Sequence, residues 1–149
     1  MLERTPQYFE LFNEIGIINQ LSRAAFEARL PPGVLAPHFS VLNHLVRISD
    51  GRTPLEIARA FQVPKTTMTH TLSGLQAHGW VEMRPNPKDG RSKRIWLTDA
   101  GRSFRQEAID DAAPAIGRAL ADVSPNEIEA ALPFLRKVRI ALDTARDEP

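Results

Sequence analysis

The chain has 149 residues, with 19 Lys+Arg against 18 Asp+Glu and 42% apolar residues. This is ordinary for a globular protein and excludes a largely disordered chain. The lack of any cysteine excludes disulfides, thiolate metal sites and a cysteine nucleophile.

The length suggests a single domain spanning 1–149. No run reaches the roughly 18 apolar residues that a membrane-spanning helix needs. Met1-Leu2-Glu3-Arg4-Thr5-Pro6 has no basic start followed by an apolar stretch. No signal peptide and no membrane are therefore expected, and a cytoplasmic location is. The near-neutral total hides a pattern. Residues 1–51 carry net −1, residues 52–105 net +6 and residues 106–149 net −4. A basic middle between a near-neutral and an acidic flank is the charge layout of a module that meets a polyanion with one face.

Thr5-Pro6 is a helix start, with Thr as cap and Pro at the first position. Tyr8, Leu11, Phe12, Ile15, Ile18, Leu21 and Ala25 recur at helical spacing to about Leu30, where Pro31-Pro32-Gly33 stops the helix. A second helix is predicted over about 36–48, with Phe39, Leu42, Leu45 and Val46 facing inward. Asp50-Gly51 then turns the chain.

Thr53-Pro54-Leu55-Glu56 is a capping box that opens a short helix ending near Phe61. After Gln62-Val63, Pro64 opens another helix, which runs to His78 and stops at Gly79. Two short helices on a tight turn make a helix-turn-helix pattern. At 100° per residue, Met68, Thr71, Leu72 and Leu75 cluster on one side of the second helix, and Thr66, Thr69, His70, Ser73 and Ala77 on the other. That outer face holds short polar side chains and no acid. A merely solvated face usually carries Glu–Lys pairs. Short hydroxyl side chains instead let a helix lie close to phosphates and base edges in a major groove.

Beyond Gly79 the period changes from 3.6 to 2 in Trp80–Arg84 and again in Arg94–Thr98. The Pro85–Lys93 segment between them forms a hairpin tip rich in turn formers and cations. Thr98 caps a helix starting near Asp99, with a stripe of Phe104, Ala108, Ile109, Ala112, Ile116 and Leu120. Ser124-Pro125-Asn126-Glu127 is a second capping box and opens a last helix on Ile128, Ala131, Leu132, Leu135, Val138 and Leu142. Pro114 and Pro133 lie inside these helices, so kinks are expected there.

The order is helix, helix, helix-turn-helix, hairpin, helix, helix. This fold is mainly α with a small β-hairpin wing: a winged helix-turn-helix core over 36–98, flanked by long helices over 6–30 and 99–146. The stretches TPLEIARA (53–60), KTTMTHTLSGLQAHGWV (65–81) and NPKDGRSKRIWLTDAG (86–101) resemble the MarR family of bacterial transcription regulators. The resemblance implies a dimer formed by the end helices. It also implies a second helix of the pair in the major groove and a wing in a flanking minor groove. By the same likeness Arg91 is the minor-groove residue and Asp89 braces it by an ion pair. Two positions depart from the pattern. Gly74 stands where a basic phosphate-binding residue is frequent. Gln62 stands where Gly is common, so it must tolerate a left-handed conformation.

The expected DNA contacts are Thr53, Lys65, Thr66, Thr67, Thr69, His70, Ser73, Arg84, Lys88, Arg91, Ser92 and Lys93. None is a strong bidentate reader on the helix face, so part of the specificity is expected from DNA shape. A homodimer would read a pseudo-palindromic duplex, as a repressor released by a small, aromatic or acidic effector. That effector would sit among Phe12, Ile15, His38, Phe39 and Leu42, an apolar set with one polar anchor. Neither cofactor nor metal is expected: the four histidines lack ligand spacing, and no nucleophile elbow, phosphate loop or dinucleotide fingerprint is present, so an enzyme is not expected. The competing reading is a winged-helix module that binds another protein and no DNA.

Overall fold

The computed structural model describes residues 5–146. Its elements, in chain order, are α1 (Thr5–Glu27), α2 (Ala36–Arg47), α3 (Pro54–Phe61), α4 (Lys65–Ala77), β1 (Val81–Pro85), β2 (Lys93–Leu97), α5 (Asp99–Ala119) and α6 (Pro125–Ala145). The chain divides into two compact units, Met1–Ala112 and Ala113–Pro149. Among the described residues, no helix is long and apolar enough to cross a membrane.

The first unit holds the winged core. Val41, Leu42 and Leu45 of α2 meet Ile57 and Ala58 of α3, Met68, Leu72 and Leu75 of α4, Val81 of β1, and Ile95 and Leu97 of β2. Every one is a position where the helical or two-residue period turns inward. The expected inner face of α2 is shifted: Val41 is buried, while Phe39 and Val46 are only half-buried. Thr53 caps α3 as its sequence requires. Its Oγ1 accepts the Glu56 N–H at 3.2 Å, and its own N–H donates to Glu56 Oε2 at 2.8 Å. Gln62 ends that helix in the left-handed region, at φ 52°.

The hairpin pairs Val81 with Leu97 and Pro85 with Lys93, each strand one residue off its expected bounds. Strand β2 has a second neighbour that the sequence did not reveal. Arg52 bridges Ile95: the Ile95 N–H donates to the Arg52 carbonyl at 2.8 Å, and the Gly51 N–H donates to the Ile95 carbonyl at 2.9 Å. Asp50 Oδ1 accepts the Leu97 N–H at 2.8 Å. The segment read as a plain turn is therefore a third edge of the wing.

Thr98 closes the wing against α5. Its hydroxyl donates to the Gly79 carbonyl at 2.7 Å and accepts the Gly101 N–H at 3.0 Å. The Trp80 ring is stacked between His78 and Phe104, with centroids 4.2 and 3.8 Å away. Helix α1 buries no residue, although Phe26 meets Phe39 of α2 edge-on at 4.5 Å.

In the second unit, Ser124 caps α6 as expected, with Ser124 Oγ accepting the Glu127 N–H at 3.2 Å. Helix α6 buries no residue either. Helices α5 and α6 both run on through their internal prolines.

Candidate nucleic-acid interface

Helix α4 is positioned by its inner face. Met68, Thr71, Leu72 and Leu75 are all buried, and Thr71 satisfies its hydroxyl on the Thr67 carbonyl at 3.2 Å. Lys65, Thr66, Thr67, Thr69, His70 and Ser73 are exposed. The Thr69 hydroxyl donates to the Lys65 carbonyl at 2.9 Å and the Ser73 hydroxyl to the Thr69 carbonyl at 3.0 Å. Each oxygen keeps free lone pairs on the outer face. Pro64 is the N-cap rather than the first helical residue, and no side chain caps the helix. The opening N–H groups of α4 are thus left for an outside acceptor, beside the Lys65 cation, the arrangement that suits phosphate.

Gly74, also on α4, has a physical reason. A Cβ there would lie 2.7 Å from His38 Nε2. His38 Nδ1 accepts the Leu35 N–H at 3.0 Å, so the imidazole spans from the start of α2 to α4. Desolvation lowers its pKa, helped by the nearby His78 and His70. Glu27 at the end of α1 accepts the Ala36 N–H at 2.9 Å, and its pKa is lowered chiefly by that bond. Helices α1, α2 and α4 are thereby joined through the N-terminus of α2.

On the hairpin, Val81, Met83, Ile95 and Leu97 face the core, while Glu82, Arg84, Arg94 and Trp96 face out. Arg84 lies over the Trp96 ring, 4.8 Å from its centroid, and pairs with Glu82. A Cβ on Gly51 would strike Trp96 at 2.8 Å, so a glycine seats that indole. Lys88, Arg91 and Lys93 are exposed, and among the described residues neither they nor Lys65 have an ion-pair partner.

Asp89 corrects one expectation. Its Oδ1 accepts the backbone N–H of Arg91 at 3.0 Å, so it shapes the turn rather than pairing with the guanidinium. Ser92 is turned inward, accepting from Asn86 Nδ2 at 2.8 Å. Asn86 and Arg94 escaped the sequence reading as site residues: side-chain bonds across a tip leave no local signature. Of the expected effector residues, Leu42 is fully buried in the winged core, Phe39 packs on Phe26, and His38 and Ile15 are half-buried. Phe12 is 45% exposed. Among the described residues no three His, Asp or Glu side chains gather as a metal site.

A helix-turn-helix whose second helix offers an uncapped N-terminus and an acid-free outer face, followed by a cationic hairpin, defines the winged helix-turn-helix class. Residues 33–92 match the MarR family profile. The chain is 31% identical over 106 residues to the multiple antibiotic resistance protein MarR of Escherichia coli, covering 66% of this chain and 73% of that one. It is 25% identical over 134 residues to the transcriptional activatory protein BadR of Rhodopseudomonas palustris, covering 88% and 75%. A crystal structure of a mutant E. coli MarR complexed with operator DNA superposes with a TM-score of 0.70 at 25% identity, covering 89% of this chain and 95% of that one. The chain belongs to the MarR family of transcription regulators.

Proposed function

We propose that this regulator is a homodimer that binds a pseudo-palindromic duplex and represses transcription from it until a small effector releases it. The observation that carries the DNA reading is the α4 face itself: Lys65, Thr66, Thr69, His70 and Ser73 exposed together, with no acid among them, beside three unpaired wing cations. The relative solved on operator DNA supports it. Thr53 and Thr67, near the two helix starts, and Lys65 hold the phosphate backbone in this reading. Thr66, Thr69, His70 and Ser73 meet base edges, and Arg91 enters the minor groove. Lys88, Lys93 and Arg84 meet phosphates, and Asp89 and Ser92 order the wing tip. Free hydroxyl lone pairs accept from adenine and cytosine amino groups, and threonine methyls meet thymine. A soluble cytoplasmic protein that binds rather than catalyses follows from this reading.

Dimerisation is supported by unmet burial. Tyr8, Phe9, Phe12, Ile18 and Leu21 on α1 and Ile128, Leu132, Phe134, Leu135 and Leu142 on α6 are each 40% or more exposed. Apolar surface left in water forgoes about 25 cal/mol per Å². A second copy covers these stripes and sets two recognition helices roughly 34–36 Å apart.

Effector control is supported by the α1–α2–α4 connection. A ligand lodged among Phe12, Ile15, His38 and Phe39, against the wall that Leu42 provides, would act on the helix start that His38 and Glu27 hold. It shifts DNA binding by its differential affinity for the two forms. The test is a footprint on DNA upstream of the gene, repeated with Ser73→Glu and His70→Ala and with aromatic carboxylates added. Protection lost with the two variants and relieved by an acid is the expected result. Full protection with both variants would refute the face assignment, and indifference to every compound would remove the effector.

A further inference from the structure

One uncharged side chain makes three of the hydrogen bonds that close the wing tip. Asn86 Nδ2 donates to Ser92 Oγ at 2.8 Å across the mouth of the loop. Asn86 Oδ1 accepts the Lys88 N–H at 3.1 Å and Arg94 Nε at 3.2 Å. Its backbone closes the same loop: the Asn86 N–H donates to the Ser92 carbonyl, and the Asp89 N–H to the Asn86 carbonyl, both at 3.3 Å. Pro87 follows and restricts the Asn86 backbone to extended conformations, so the amide starts in place. Asn86 is half-buried, whereas Lys88, Asp89, Gly90 and Arg91 are exposed.

We infer that Asn86 is the positioning residue of the wing: its amide holds the tip in one conformation, aims Lys88 and Arg91 outward together, and tethers Arg94 along the strand. The inference rests on the reading that the tip meets DNA. The physical reason is preorganisation. A floppy tip must be ordered at the moment of binding, and that cost comes off the affinity. Asp89, bonded to the Arg91 N–H, completes a chain that begins at Asn86 and ends at the arginine.

The test is an anisotropy titration of a duplex bearing the protected site with wild type, Asn86→Ala, Arg91→Ala and the double variant. Asn86→Ala is expected to weaken binding about tenfold with net charge and melting temperature unchanged, equivalent to about 1.4 kcal/mol. In the Arg91→Ala background its effect is expected to shrink to under threefold, because of the two aimed cations the one set in the minor groove is gone and only the Lys88 phosphate contact remains. Backbone ¹⁵N order parameters for 88–92 should fall in Asn86→Ala and hold in Asn86→Asp, whose carboxylate accepts from the Lys88 N–H and Arg94 Nε as the amide oxygen does and accepts from the Ser92 hydroxyl where the amide donated to it. If Arg91→Ala weakens binding and Asn86→Ala does not, positioning is refuted while the wing reading stands. Equal losses in both backgrounds would also refute it, since Asn86 would then act independently of Arg91. If Arg91→Ala binds as wild type does, the wing reading itself falls and the inference with it.

Discussion

Gln62 occupies the left-handed region, a conformation that costs a residue with a Cβ roughly 1–2 kcal/mol. Glycine escapes that cost but loses more chain entropy on folding, about 0.5–1 kcal/mol. Gln62→Gly is therefore expected to stabilise the protein by about 0.5–1 kcal/mol in urea denaturation, with operator affinity unchanged. Arg91→Ala should cost about 1–3 kcal/mol of operator binding. Asp89→Ala should weaken binding although it removes a negative charge, because the turn that presents Arg91 is lost; tighter binding would contradict that role. Arg84, by contrast, is already paired with Glu82 and lies over Trp96. Its removal should lower the salt slope of DNA binding by less than the slope of about 1 expected for Lys88 or Lys93. His38 and His44 both have pKa values lowered by burial, with electrostatic repulsion from neighbours adding to it: His78 and His70 beside His38, Arg52 and Arg47 beside His44. A lowered histidine means that the folded state prefers the neutral ring. The stability it supports is full above the ordinary value of about 6.5 and is lost as pH falls through the lower folded value. Urea midpoints should drop from about pH 7 to pH 5, and the drop should flatten when both histidines are replaced by Gln.

At the scale of elements, α2 and α4 meet where Gly74 admits His38. Alanine is the better helix former by about 1 kcal/mol, yet its Cβ would press the imidazole off the Leu35 N–H. Gly74→Ala is expected to stabilise by about 1 kcal/mol only when His38→Ala is present, and to gain nothing in the wild type. Calorimetry of the four proteins reads this directly. The same pair marks the limit of what the sequence discloses. Helix α3, its capping box, the inner face of α4 and both sides of the hairpin follow local period and turn chemistry, and all were legible; the left-handed Gln62 was legible only through the family resemblance. The His38–Gly74 approach, the Arg52–Ile95 bridge and the Gly51 seat under Trp96 join residues 36 to 45 positions apart. No local pattern announces such contacts. In the tip, the residue types correctly suggested a turn. Which atoms Asp89 and Asn86 would bond to was decided by loop geometry.

At the scale of the molecule, the basic middle of the chain is the part that the proposed reading sets against DNA, and the exposed apolar stripes of α1 and α6 are the parts that it sets against a second copy. Sedimentation is expected to find a dimer at micromolar concentration, and a stable monomer would contradict the paired recognition helices. The central claim is that α4 and the wing bind duplex DNA through phosphates and base edges. The direct measurement is the affinity for duplex from upstream of the gene, followed across salt concentration. The account predicts tight binding that weakens linearly in log–log form with added salt, with a slope reduced by about 1 in Lys88→Ala. Failure to bind the duplex at any salt concentration would contradict it and favour a winged module built to meet another protein.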